Sequence, residues 1–231
     1  MKRIVIGALC MLLSLAAMAQ KKVETSLGTD IVSQYIWRGQ SLGSVSIQPS
    51  LGISWQGLSL SAWGNTGLAN FQDTQEVDLT LSYGIGGFSI GVTDYWFTGG
   101  APYFDYGNPD ATHVFEATVG YDFGWASLAW YTNFAGADGL NPAGQRAYSS
   151  YAEVKVPFGL GGVDWEGALG IVPYATDFYL ADGFRVVNVS LTARKTLVET
   201  EHFQLPLFAT LMVNPARRQT FFAVGLSLSC L

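Results

Sequence analysis

The stretch "SVSIQPSLGISWQGLSLSAWG", residues 44–64, alternates with period two: Val45, Ile47, Pro49, Leu51, Ile53 and Trp55 share one face, and Ser46, Gln48, Ser50, Gly52 and Ser54 share the other. That period belongs to strands, with Gln56-Gly57 as the turn between two of them. The pattern alone admits two structures. In a soluble sheet the apolar face meets a core. In a membrane barrel the apolar face meets lipid and the polar face lines a wet lumen.

The ends of the chain and its composition favour the second structure. Lys2 and Arg3 precede an apolar run over residues 4–16, and Ala17-Met18-Ala19 is a small-x-small cleavage site, so residues 1–19 read as a secretory leader and 20–231 as the mature chain. The apolar run is shorter than the ~20 residues of a spanning helix. Leu9 before Cys10 does not suit a lipoprotein site. Without its leader the chain keeps only Cys230, which excludes an internal disulfide, and carries ten basic and eighteen acidic residues. A charge of −8 with no basic cluster beyond a pair argues against nucleic acid as a partner. Charged residues make up 13% of the chain, aromatics 14%, and glycine occurs 27 times. Such a secreted chain, poor in charge, rich in aromatics and without long apolar helices, has the composition of an outer-membrane barrel.

Turn signals divide the mature chain into about twelve alternating segments: 23–37, 45–55, 58–65, 75–83, 88–97, 112–123, 125–134, 147–158, 163–174, 184–198, 203–213 and 219–229. Short connections (56–57, 84–87, 124, 159–162) alternate with longer ones (38–44, 66–74, 98–111, 135–146, 175–183). The expected fold is an all-β, closed, antiparallel up-and-down transmembrane barrel of about twelve strands, with short periplasmic turns and longer extracellular loops. Aromatic girdles are expected from Tyr35, Trp37, Trp63, Tyr95 to Phe97 and Phe134 at the outer rim, and from Trp55, Trp125, Phe158 and Trp165 at the inner.

Most strand charges fall on the face opposite the apolar residues, which makes Asp30, Arg38, Glu76, Asp78, Glu116, Glu153, Lys155, Asp164, Glu166 and Arg194 the candidate lumen and solute contacts. As core residues these ions would each cost several kcal/mol, on the order of 3–5. Asp94 breaks the pattern, sharing parity with Phe88, Ile90 and Val92, and implies a place above the apolar band or a bulge between Thr93 and Trp96. Arg38 is read either as a constriction residue for solute oxygens or as a structural ion pair with Asp30, Glu76 or Asp78. Seven acids against three bases favour cations or neutral polar solutes. The alternative is that the same charges interlock and shut the pore.

The stretch "SQYIWRGQSLG", residues 33–43, resembles a signature after the first strand of the TorF-related porins, the Gcw-type outer-membrane barrel proteins: Tyr35, Ile36, Trp37, Arg38 and Gly39 follow its tyrosine-apolar-aromatic-arginine-glycine order. "VTDYWF" and "WYTNFAGADG" extend the likeness. The resemblance implies an outer-membrane porin with no assigned substrate. Outer-membrane lipids, a small polar solute and the barrel-insertion machinery are the partners expected of such a protein. The ending "GLSLSCL" departs from the usual terminal aromatic, with Leu228 or Leu231 in its place.

Two alternatives remain open at this stage. A nonconducting envelope scaffold has the same grammar. A barrel lipid hydrolase or acyltransferase needs a base beside a nucleophile, for which His113 with Ser33, Ser149 or Ser150 is the available set. The loop 98–111 places Tyr103, Phe104 and Tyr106 beside Asp105 and Asp110, a composition suited to sugar rings at the mouth or to plain loop packing. No cofactor site is visible, and His113 and His202 stand too far apart for metal-ligand spacing.

Overall fold

The computed structural model describes residues 23–70, 73–98, 100–108 and 110–230; the expected leader and Leu231 lie outside them. Among the described residues fourteen strands form, β1 (Glu24–Val32), β2 (Tyr35–Trp37), β3 (Gln40–Gly43), β4 (Ser46–Trp55), β5 (Leu58–Gly67), β6 (Glu76–Ile85) and β7 (Phe88–Phe97), then β8 (His113–Asp122), β9 (Ser127–Gly136), β10 (Ser150–Leu160), β11 (Val163–Val172), β12 (Arg185–Glu199), β13 (Phe203–Asn214) and β14 (Gln219–Cys230). Twelve of them close into a barrel in chain order, and β2 and β3 form a separate two-stranded hairpin. Closure is antiparallel, with β1 against β14 from Leu27 opposite Cys230 to Val32 opposite Gly225.

The alternation in residues 44–64 resolves as an inside-out sheet. Every barrel strand turns a large aliphatic side chain outward: Leu27, Leu51, Leu60, Leu81, Ile90, Val119, Leu128, Val154, Leu169, Leu191, Leu211 and Leu226 are each 39–59% exposed. Cross-strand register links them into a belt, as in the pairs Leu27 and Leu51, Leu60 and Leu81, Val154 and Leu169, and Leu191 and Leu211. Soluble monomers rarely expose a contiguous apolar surface of that extent.

The rims differ as the spacing predicts. One carries the tight connections 56–57, 86–87, 123–126, 161–162 and 200–202 together with both described ends of the sheet; Gln56 (φ 53) and Gly57 (φ 87) take the left-handed geometry of a two-residue hairpin. The other carries the long connections and one exception, the tight turn 215–218.

The first expected segment, 23–37, is not one strand. Beyond Val32 the chain leaves the wall, and Ser33 seals the break by donating its backbone N–H to Val224 O at 2.8 Å while its Oγ accepts from Val224 N at 2.9 Å. Tyr35–Trp37 then folds inward and returns as Gln40–Gly43, so the link expected over 38–44 is half of a hairpin inside the barrel. Arg38 (φ 46) and Gly39 (φ 82) form its tip. At Gly39 a Cβ would lie 1.9 Å from the Val187 carbonyl oxygen, so only glycine seats the tip against β12. A Gly39→Ala variant is expected to lose more than about 1 kcal/mol in thermal unfolding in micelles. Gly144→Ala also meets a positive φ (71) but has no neighbour within 4 Å, and should lose less.

The packed core therefore sits within the loop-side half of the lumen. Tyr151, Val172, Tyr179, Ala181 and Val187 are its buried members, with Trp37, Tyr131 and Phe178 against them. Tyr35, Trp37, Trp63 and Tyr95, expected in the outer girdle, belong to this interior: Tyr35 packs on Trp63 with ring centroids 5.6 Å apart, and Trp37 on Tyr95 at 6.0 Å. Lumenal parity and the inward hairpin remove them from the lipid side. Phe134 remains exposed outside, and at the turn rim Trp55, Trp125 and Phe158 are exposed, with Phe158 stacked on Trp165 at 6.2 Å.

Candidate functional site: a sealed hairpin above a polar chamber

Arg38 reaches the centre of the barrel at the tip of the hairpin. Its Nη1 donates to Glu116 Oε2 at 2.5 Å and to Tyr179 OH at 2.6 Å, and its Nη2 donates to Glu116 Oε1 at 2.9 Å. Tyr95 OH donates to the same Glu116 Oε1 at 2.9 Å. Three aromatic faces surround the guanidinium carbon, Tyr131 at 4.0 Å, Trp37 at 4.5 Å and Tyr151 at 4.9 Å. A planar cation held by a bidentate carboxylate and stacked rings is the arrangement that best offsets its desolvation. The side chains of Arg38 and Glu116 are 8% and 1% exposed. Tyr179 arrives from the connection 173–184, where burial pushes its hydroxyl upward and keeps it protonated.

The structural ion pair expected for Arg38 is thus formed, but with Glu116 and not with Asp30, Glu76 or Asp78. Glu76 instead accepts from Tyr35 OH at 2.9 Å, tying the base of the hairpin to β6. Asp78 lies two residues along the same inner face, in register with Trp63 and Tyr95. Wall residues on both sides of the hairpin are buried, Asn65 and Glu76 on one, Val187 and Asn214 on the other, and Asn214 Nδ2 donates to Gly39 O at 2.9 Å. The lumen is occluded at this level.

On the turn side of the hairpin the lumen stays open as two adjoining cavities. One, of about 280 Å³, is lined by Asp30, Gln34, Gln48, Glu166, Arg194 and Thr210 among others. The second, about 330 Å³, is lined by Arg38, Tyr131, Glu153, Lys155, Glu166 and Asn188 among others. Lys155 Nζ stands 3.3 Å from Glu153 Oε1 and 3.8 Å from Glu166 Oε1. Arg194 lies over the Phe208 ring at 5.0 Å, opposite Asp164 in the β11–β12 register. The ten candidates therefore divide by location. Arg38, Glu76, Asp78 and Glu116 belong to the plug, Asp30, Glu153, Lys155, Glu166 and Arg194 to the chamber, and Asp164 to the turn end of the wall. Tyr95, Tyr131 and Tyr151 were not among the candidates, because a tyrosine on a lumen face reads no differently from one in a girdle, and Tyr179 was not, because it lies in the connection 173–184, where strand parity gives no signal.

Outside the barrel, Asp94 keeps its outward parity with no break in register at residues 93–96, so the bulge considered for it does not occur. It is covered instead by residues of the β7–β8 connection, whose Tyr103 and Tyr106 bind it on the outer wall and do not cap the mouth. His113 has both ring nitrogens engaged, Nδ1 with Asp94 Oδ1 and Nε2 with Tyr103 O, each at 2.7 Å. Ser149 bonds to Thr176 at 2.6 Å, Ser150 to Thr132 at 2.8 Å and to Tyr174 at 2.6 Å, and Ser33 to Val224 N at 2.9 Å. The base-nucleophile pairing weighed for a lipid hydrolase is not formed. Among the described residues there is no group of three or more His, Cys, Asp or Glu able to hold a metal ion.

No protein-family model matches the chain, and no curated protein matches it. Solved structures similar to it include the NanC porin, at 8% identity over 90% of this chain and 100% of that chain, with a TM-score of 0.48. An outer membrane channel from Pseudomonas putida F1 is 13% identical over 91% of this chain and 94% of its own, with a TM-score of 0.43. OmpF of Salmonella typhi, in complex with daunomycin, is 8% identical over 91% and 97%, with a TM-score of 0.37.

Proposed function

We propose that this protein is an outer-membrane, porin-like channel for passive passage of small hydrophilic solutes, neutral or cationic, and that the Arg38 hairpin is its closure. The observation that carries the reading is the apolar belt contributed by all twelve barrel strands, set against ionisable side chains on the opposite face. A bilayer satisfies the first and water the second. The leader expected over residues 1–19 would supply the route of export, and the likeness of residues 33–43 to the TorF-related porins points the same way.

The sealed plug alters the charge argument without reversing it. Glu116 is neutralised by Arg38, and Glu76 is buried under Tyr35, so these do not meet a passing solute. What remains in the chamber and at its turn end is Asp30, Glu153, Asp164 and Glu166 against Lys155 and Arg194. An acid excess persists, and it favours cations.

Reconstitution in planar bilayers under a salt gradient tests the proposal. Discrete openings separated by long closed periods, with a reversal potential on the cation side, are the expected record. Anion preference would overturn the charge argument. The occluded lumen gives a second reading, a nonconducting envelope scaffold, and silence from both the wild type and an Arg38 variant would select it.

A further inference from the structure

Two of the five charged residues in the chamber have no partner of opposite sign. Lys155 is shared between Glu153 and Glu166. Arg194 and Asp30 line the same cavity of about 280 Å³, yet among the described residues neither forms an ion pair, with the other or with any third group. Arg194 bypasses even Asp164, which stands opposite it in the β11–β12 register, and lies over the Phe208 ring at 5.0 Å. That ring occupies the wall between the two charges. A Cβ on Gly225 would lie 2.4 Å from Phe208 Cζ, and Gly225 pairs with Val32, which shares the inner face of β1 with Asp30.

Neutral groups turn the two ends of the cavity into poles. Asp30 stands opposite Gln48 in register, and Gln48 is 9% exposed. Asn65 Nδ2 donates to the Thr74 carbonyl at 2.6 Å, so its Oδ1 is the atom that accepts from Gln48 Nε2 at 3.0 Å, and Gln48 Oε1 is left as an acceptor for the cavity. Gln34 Nε2 is likewise spent on Ser41 Oγ at 2.8 Å. The Asp30 end therefore offers acceptors, a carboxylate and two amide oxygens. The Arg194 end offers donors. Its guanidinium has no acceptor among the described residues. The Thr192 and Thr210 hydroxyls, 2.9 Å apart, use one hydrogen between them and keep the other free.

We propose that this cavity is a binding site for zwitterions of amino-acid size, with the ammonium held by Asp30, Gln34 and Gln48 and the carboxylate by Arg194 and a threonine hydroxyl. An ammonium carries three donors and no acceptor, and an ionised carboxylate only accepts and fits the guanidinium fork, so each group of the solute matches one pole and is rejected by the other. Phe208, Met212 and Ala223 give the carbon skeleton an apolar surface between them. A zwitterion has no net charge, so the acid excess of the chamber does not exclude it. The role of the site in transport rests on the porin-like reading, whereas binding itself needs no conduction.

Calorimetric titration of the full barrel in micelles with alanine, alaninamide and N-acetylalanine tests the site at about pH 6, where free α-amino and α-carboxyl groups are both ionised. Alaninamide keeps only the cation and N-acetylalanine only the anion. Alanine should bind at least about tenfold more tightly than either, the loss expected when a hydrogen-bonded charge is removed. Arg194→Gln should lower the alanine affinity to that of alaninamide, and Asp30→Asn to that of N-acetylalanine. Neither side chain holds a protein hydrogen bond or ion pair among the described residues, so both variants should fold, which heat-modifiable gel migration checks. Equal affinity for the three solutes, no alanine binding, or an unchanged alanine affinity in either variant would overturn the site. Planar-bilayer recordings on the same preparation keep the two readings apart. Conductance without the alanine preference removes the site and leaves the channel; the alanine preference in a silent protein supports the site and removes the channel.

Discussion

Replacing Arg38 with alanine is expected to open the barrel and to destabilise it. The guanidinium fills the space between Tyr131, Trp37 and Tyr151 and supplies two of the hydrogen bonds on the Glu116 carboxylate, which is 1% exposed. Removing one member of a buried pair strands the other charge, at a cost of about 3–5 kcal/mol. Glu116 then has two escapes, uptake of a proton or entry of water past the hairpin. Single-channel recordings should show more frequent and larger openings than the wild type, and unfolding in denaturant should occur earlier. Arg38→Lys discriminates charge from shape: lysine keeps the charge but loses the bidentate fork and the stacking, so it should fall between the two. If Arg38→Ala conducted and unfolded like the wild type, the hairpin would not be the closure.

The second large effect tests which face meets lipid. Leu191 lies near the middle of β12, 41% exposed, with Leu211 opposite on β13. Arginine there should cost about 2–4 kcal/mol, the penalty for a cation near the bilayer midplane. Thr192, the next residue, points inward, its Oγ1 2.9 Å from that of Thr210 beside the chamber. Thr192→Arg should cost far less, since its charge meets water. Folding and unfolding titrations in phospholipid vesicles measure both. A reversed order, or equal costs, would mean that the apolar belt does not face a bilayer.

Register errors mark where local pattern stops being informative. Residues 23–31 alternate, and the parity slips at Val32 and Ser33, but a two-residue slip by itself does not say that the chain turns into the lumen; the change of direction comes from the left-handed pair Arg38 and Gly39 and from what their side chains and backbone meet. Asp94 was legible as an anomaly but not as a solution, because its cover comes from a loop whose tyrosines could equally have pointed over the mouth. For the same reason Trp63 and Tyr95 read as girdle residues: parity assigns a face only once the register is known.

The amino-acid order alone determined the barrel, its strand number, the sorting of short and long connections and the side on which charge lies. All of these follow from a period of two residues and from turn residues acting on their immediate neighbours. Tertiary structure decided whether the lumen is open. Arg38 meets Glu116 across 78 residues and Tyr179 across 141, and the sequence held several acids on the same face that would have served equally well as partners. Closing the sheet selects one of them by bringing β8 and the connection 173–184 to the point that the hairpin tip reaches.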